Sequence, residues 1–347
     1  MKRIARAIVV TTINAPTASL RELASRSDQW PLIIVGDNKT PRDWALNGAA
    51  FIGIDEQRER PFALQPLLPE NHYSRKNLGY LEALSRGATT IAETDDDNFA
   101  HTWPPRDIEP NVEGVEISRQ GWVNVYNHFT DERMWARGLP LQEIPRRIEN
   151  SSELRVVRRA LIHQYLAEGD PDVDAIYRMT VGKTDHVFCD RIVILAPGCA
   201  TPFNSQSTVW YQGSLPFLYL PSFVSFRMTD IWRSYVAQVC LWATNDRIAY
   251  RGKGVYQERN EHNLFHDFLD ELVGYQRNAE IMAALLQLRL SKEPSDAGAN
   301  LLGCYVELSR LGVVPSEELT LVQAWISDLA LAHKMAGARD REPNRWR

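Results

Sequence analysis

Apolar runs separated by polar turns organise the first hundred residues. "RAIVVTTIN" (6–14) is β-branched and apolar until the chain turns polar at Asn14 and Pro16, which predicts a strand followed by a loop. "TASLRELASR" (17–26) sets Leu20, Leu23 and Ala24 at helical spacing, with Thr17 and Ser19 as caps. "WPLIIVGDNKTP" (30–41) reads as a second buried strand ending at Gly36-Asp37, and "AAFIGID" (49–55) as a short third. Between 71 and 88, Leu78, Leu81 and Leu84 share a helical face and Gly87 ends it. "TTIAETDDDN" (89–98) is a strand that runs into an acidic turn.

The order is β-α-β-β-α-β with near-continuous apolar strands. Such strands are buried on both faces, so the pattern predicts an α/β protein with a mostly parallel sheet flanked by helices. Ligands of such sheets bind beyond the carboxyl ends of the strands. Thr12, Asn14, Asp37 and Asp95 to Asp97 are therefore expected to converge on one rim. The sequence has no GxGxxG and no Walker motif, so the dinucleotide and P-loop readings lack their fingerprints.

From about 100 to 220 the pattern is irregular and rich in Pro and aromatics, which suits an acceptor or substrate surface on long loops. "MTDIWRSYVAQVCLW" (228–242) puts Ile231, Tyr235, Val239 and Trp242 on one helical face, with Asp230 capping or preceding it. Past 260, Leu264, Phe268, Leu272 and Tyr275 repeat at helical spacing, and 316–335 reads as another amphipathic helix. The chain thus divides into an α/β part over 1–258, a C-terminal helical region over 259–336 and a charged, flexible tail over 337–347. The late helices read as packing against the core or a second copy. A homodimer stays open, with no direct sign of it.

Composition narrows the picture only in places. The 347 residues are 44% hydrophobic and 24% charged, an ordinary soluble profile. A net charge of −5 gives no global basic field, so nucleic acid is not an expected partner. The four cysteines, Cys189, Cys199, Cys240 and Cys304, include no CxxC pair; they read as small hydrophobes in a reducing compartment rather than zinc ligands. The amino-terminal apolar run "AIVVTTI" is too short for a signal peptide. No run of about 18 apolar residues exists to span a membrane. A cytoplasmic protein is expected.

The acidic turn carries the chemistry. Asp95 and Asp97 flank one residue where a buried strand ends, and two such carboxylates suit a hard divalent cation, Mn²⁺ or Mg²⁺, that clamps a diphosphate. The same triplet also reads as a solvated loop or a helix cap. Arg75 and Lys76 stand at a helix start, where backbone N–H groups already favour anions, so they suit a phosphate; an exposed basic turn is the alternative. Asp37 suits a ribose or base, or merely a turn. Asp170, Asp172 and Asp174 alternate in "EGDPDVDAIYRMT" without the Gly and closing Glu of a calcium loop. Asp174 and Asp230 are candidate bases, although Asp230 also suits a helix cap. His262, at a helix start, suits either a late metal ligand or an exposed side chain.

Taken in order, "GDNKTP", "YSRKNLGYLEA", "IAETDDDN", "GDPDVDAIYRMT", "FNSQSTVW" and "MTDIWRSYVAQVCLW" resemble the blocks of the STELLO-like family. That family looks like nucleotide-sugar glycosyltransferases of the GT-A (Rossmann-like) fold. It is distantly similar to reversibly glycosylated polypeptides, the UDP-arabinopyranose mutases. The resemblance runs from about residue 6 to about 275. Its plant members carry a membrane anchor and a further domain; neither is expected here, and their cellular role is not carried over. The resemblance implies that Asp95-Asp96-Asp97 is a DXD motif with Asp95 and Asp97 as ligands. It implies a nucleotide site near Thr12, Asn14, Asp37, Arg75 and Lys76, and a late metal ligand at His262.

The expectation is a metal-dependent glycosyltransferase. Its donor is a nucleoside-diphosphate sugar, a UDP-sugar by preference, and its acceptor a saccharide or other hydroxyl. If the reaction inverts, Asp230 or Asp174 deprotonates the acceptor. A nucleotide-sugar mutase and a non-catalytic scaffold are the rival readings.

Overall fold

Short apolar runs form one half of the sheet in the computed structural model, which describes residues 4–26, 28–100, 103–106, 108–145, 155–182, 185–258 and 263–339. Four strands, β1 (Arg6–Thr11), β2 (Leu32–Val35), β3 (Ala49–Ile52) and β4 (Thr90–Thr94), pair in parallel in the order β3-β2-β1-β4. Five more strands extend the sheet: β5 (Asn111–Ile117), β6 (Arg155–Tyr165), β7 (Ile192–Leu195), β8 (Ser207–Tyr211) and β9 (Arg247–Arg251). β8 lies antiparallel between β4 and β6. The sheet as a whole is therefore mixed, and the expectation of a mostly parallel one holds only for its first four strands. The far half closes on itself, because β6 pairs with both β5 and β9, and β7 joins those two. A small separate core, Val112, Ala160, Ile194 and Ala249, takes one residue from each of these strands.

Eight helices accompany the sheet among the described residues: α1 (Ala18–Ala24), α2 (Ile54–Arg58), α3 (Lys76–Ser85), α4 (Ala175–Thr180), α5 (Thr229–Ala243), α6 (Leu264–Leu285), α7 (Ala297–Arg310) and α8 (Glu317–Arg339). Thr17 caps α1 as its sequence predicts, accepting from Leu20 N. α3 lies on β1 and β2 and is buried on all sides, with α8 across its back. Gly79 permits that contact, since a Cβ there would stand 2.5 Å from Val9 Cγ1 and 2.7 Å from Val35 Cγ2. α7, which the hydrophobic pattern did not mark, packs between α5 and α8.

The late helices reach into the loops that surround the rim of the sheet. Asp328 of α8 accepts the backbone N–H groups of Ala63 and Leu64, both at 2.8 Å. Glu318 of α8 accepts from Tyr219 Oη at 2.5 Å, and from the backbone of Ser222 and Phe223. Burial pushes both carboxyls above their ordinary range against these hydrogen bonds. The C-terminal region therefore holds the 61–75 and 219–228 loops in place.

Candidate functional site

Three of the four parallel strands lead into a polar residue at the same rim. Thr12 follows β1, Asp37 follows β2 and Asp95 follows β4, and all three line one cavity of about 450 Å³ at the carboxyl rim of the sheet. Asn14, Arg75, Asp96, Asp97 and Asp230 line it as well, so the structure brings together most of the residues marked in the sequence.

The three aspartates of the turn have different jobs. Asp96 points back into the protein: it accepts from Thr12 Oγ1 at 2.5 Å and Asn14 Nδ2 at 3.0 Å. Its carbonyl accepts from the hydroxyls of Thr17 and Ser19, tying the turn to the start of α1. Asp95 accepts from Tyr73 Oη at 2.9 Å and Lys76 Nζ at 3.3 Å, both on Oδ1, which leaves Oδ2 for a ligand. Asp97 accepts from Gln257 Nε2 at 3.2 Å. Burial pushes Asp95 up to about 6; Lys76 pulls it back down, and the charge of Asp97 pushes it up again. Two hard oxygen donors that repel each other across one cavity fit Mn²⁺ or Mg²⁺. Among the described residues, no cluster of three or more His, Cys, Asp or Glu forms a metal cage. A cation there would complete its shell with ligand oxygens and water. His262 lies outside the described residues, and α6 begins instead at Leu264 with Asn263 as its cap.

The two cations expected to meet a phosphate are both buried and engaged by the protein, so the alternative of an exposed basic turn does not hold; Arg75 lines the cavity and Lys76 lies beneath it. Arg75 donates to Gln57 Oε1 at 2.8 and 2.6 Å and to the carbonyls of Leu68 and Pro69. Lys76 is fully buried, and Nζ donates to Tyr73 Oη, the Thr94 carbonyl and Asp95. Lys76 is therefore the positive partner that steadies the acidic turn from beneath. Asp37 accepts the backbone N–H groups of Asn38, Asn71 and His72, so it shapes the cavity wall through that turn.

Asp174 does not line the cavity. It is the buried cap of α4, accepting from Tyr177 N at 2.7 Å and Trp135 Nε1 at 2.7 Å, and burial pushes it up to about 6. The base candidacy of Asp174 is thus replaced by the capping role its position next to "AIYRMT" also suits. Asp230 is the second residue of α5 rather than its cap. It accepts from Arg137 Nη1 and Nη2, each at 3.1 Å, and from Ser205 N at 3.2 Å.

Arg137 is the largest omission from the sequence reading. Its guanidinium sits between Asp172, which accepts from Nε and Nη2 at 2.8 Å each, and Asp230. Burial works against its charge, but the two carboxylates outweigh that and keep it firmly protonated. Tyr73 and Ser205 are also unmarked by pattern. Their hydroxyls lie 2.6 Å apart and link Asp95 to Asp230 across the cavity.

The chain is 28% identical to "Probable glycosyltransferase STELLO2" and 26% identical to "Probable glycosyltransferase STELLO1", both from Arabidopsis thaliana, over 93% of its length in each case. It is similar to the STELLO-like family along nearly its whole length. The chain spans 44% of the length of each of these two relatives. No protein-family model matches it. A solved structure described as "Crystal Structure of a Mycobacterial Protein" aligns over 90% of this chain and 76% of its own, with a TM-score of 0.35 and 12% identity. Among the described residues, no helix is long and apolar enough to cross a membrane.

Proposed function

We propose that the chain is a glycosyltransferase with a GT-A-like fold that moves a sugar from a nucleoside-diphosphate donor to an acceptor hydroxyl, with Mn²⁺ or Mg²⁺ as cofactor. The similarity to proteins named as probable glycosyltransferases supports the activity, and the strand order β3-β2-β1-β4 followed by an antiparallel strand supports the fold assignment. The charge balance of the cavity carries the metal requirement. Asp37, Asp95, Asp96, Asp97, Asp172 and Asp230 face Lys39, Arg75, Arg137 and Arg227. Three of those cations are already engaged: Arg75 as described, Arg137 by Asp172 and Asp230, and Arg227 by Glu271 at 2.6 Å. A diphosphate entering such a cavity meets net negative charge and needs a divalent cation.

Asp95 and Asp97 would hold that cation, which when bound offsets the charge growing on the departing diphosphate. The protein contributes preorganisation. Lys76 and Tyr73 fix Asp95, and Thr12 and Asn14 fix Asp96 between the two ligands. Lys39, exposed on the loop after β2, adds a cation at the cavity wall. Asp230 is oriented by hydrogen bonds from Arg137 and Ser205, and in an inverting reaction it takes the proton of the acceptor hydroxyl. UDP-sugars are the preferred donors.

A thermal-shift screen of UDP-, GDP- and dTDP-sugars with and without Mn²⁺ tests the donor reading, because a ligand of the native state raises the melting temperature. A shift that requires both Mn²⁺ and one nucleotide sugar is expected; no shift with any donor contradicts the proposal. Once a donor is found, Asp230→Asn is expected to lower turnover on the order of a hundredfold or more while sparing donor affinity. Near-normal turnover would remove Asp230 as the base.

A further inference from the structure

The loop that leads into α5 is anchored on both sides yet turns an aromatic ring outward. Phe223 N is held by Glu318, Ser225 Oγ donates to the Asp270 carbonyl, and Arg227 pairs with Glu271. Between these anchors Phe226 is 59% exposed and lines the cavity. Its ring meets Tyr73 at 5.9 Å and nearly at right angles, and Tyr73 in turn bonds to Asp95. A pinned loop that exposes a large apolar ring beside a polar cavity has the marks of a binding surface. Asn204, Ser205, Gln206 and Asp230 line the same cavity with amide, hydroxyl and carboxylate groups.

We infer that Phe226 is the floor of the acceptor subsite and that the acceptor is a saccharide. A pyranose presents an apolar C–H face and a rim of hydroxyls. The face stacks on the Phe226 ring, and the hydroxyls meet the amides, Ser205 and Asp230. This assignment rests on the transferase reading and narrows its acceptor to a sugar. It also gives Tyr73 a second task, since one side chain then supports both the acidic turn and the ring beneath the acceptor.

Saturation-transfer difference NMR on the full chain with UDP and Mn²⁺ tests it, with methyl β-D-glucopyranoside and methyl β-D-galactopyranoside as probes. At least one probe is expected to take up saturation mainly on the C–H protons of one ring face. Phe226→Ala is expected to weaken that signal about tenfold and Phe226→Trp to restore it. The ligand-free melting temperature of each variant reports whether the loop stays folded. An equal signal in a folded Phe226→Ala protein, or no saturation of either probe in the wild type, overturns the subsite. The Mn²⁺-dependent thermal shift with UDP is read on the same samples. A shift without any saccharide signal removes the acceptor assignment alone, whereas loss of the shift removes the transferase reading beneath it.

Discussion

Asp97→Ala and Asp95→Ala are each expected to weaken Mn²⁺-dependent donor binding on the order of a hundredfold or more. Each removes one of the two carboxylates proposed to hold the cation. The diphosphate then enters a cavity whose arginines already face carboxylates or carbonyls. The fold should survive Asp97→Ala, because Asp96 still holds the turn through Thr12, Asn14, Thr17 and Ser19; Asp95→Ala also strips buried Lys76 of its carboxylate and should cost stability as well. Asp96→Ala is the informative contrast. It removes the anchor, so it should lower the unfolding free energy by about 1–3 kcal/mol and weaken binding only through the looser turn. Titration calorimetry with Mn²⁺ and the donor found by thermal shift, together with urea denaturation, separates the cases. Retained tight binding in Asp97→Ala would refute the metal assignment.

Glu93→Ala carries the largest expected loss of stability, about 3–5 kcal/mol in urea denaturation. Glu93 and Arg233 are buried together under the site, with Nη2–Oε1 at 2.7 Å and Nη1–Oε2 at 3.0 Å. Trp210 Nε1 donates to the same carboxylate at 2.8 Å, Tyr80 Oη donates to it as well, and the guanidinium lies 4.9 Å from the centre of the Trp210 ring. Removing the carboxylate leaves a guanidinium in the core with no countercharge in contact. Replacing both partners by apolar residues, Glu93→Leu with Arg233→Met, should recover most of the loss, since neither charge is then stranded. The pair also joins β4, two residues before Asp95, to α5, one turn after Asp230. A double variant that regains stability but loses donor binding would show the pair acting as a spacer between the two walls of the site. Less than about 1 kcal/mol lost in Glu93→Ala would contradict the buried-pair account.

β1 and β2 were legible in the sequence because they are apolar and buried almost throughout, and β3 and β4 because short apolar runs end in polar turns. β6 was not. Its first half sets Arg155, Arg158 and Arg159 around two valines with no regular alternation, and only its second half is buried throughout. The charges hide a strand that belongs at once to the main sheet and to the closed ring. The acidic turn was legible because its three carboxylates are adjacent. Arg137 was not, because its partners Asp172 and Asp230 lie 35 and 93 residues away, and no local period marks the chain around it. Arg75 and Lys76 were legible as a basic pair at a helix start, but their buried carbonyl partners were not, because such a pair looks the same whether it faces solvent or the protein interior. The fates of Asp174 and Asp230 also needed tertiary neighbours, Trp135 for one and Arg137 for the other.

A divalent ion at the carboxyl rim of the sheet is the premise beneath the proposed activity. Its most direct test is a crystal grown with UDP and Mn²⁺, with anomalous scattering locating the manganese. The account predicts one strong peak within bonding distance of Asp95 and Asp97 that also touches the diphosphate oxygens. Manganese and phosphates found together elsewhere in the molecule would contradict it.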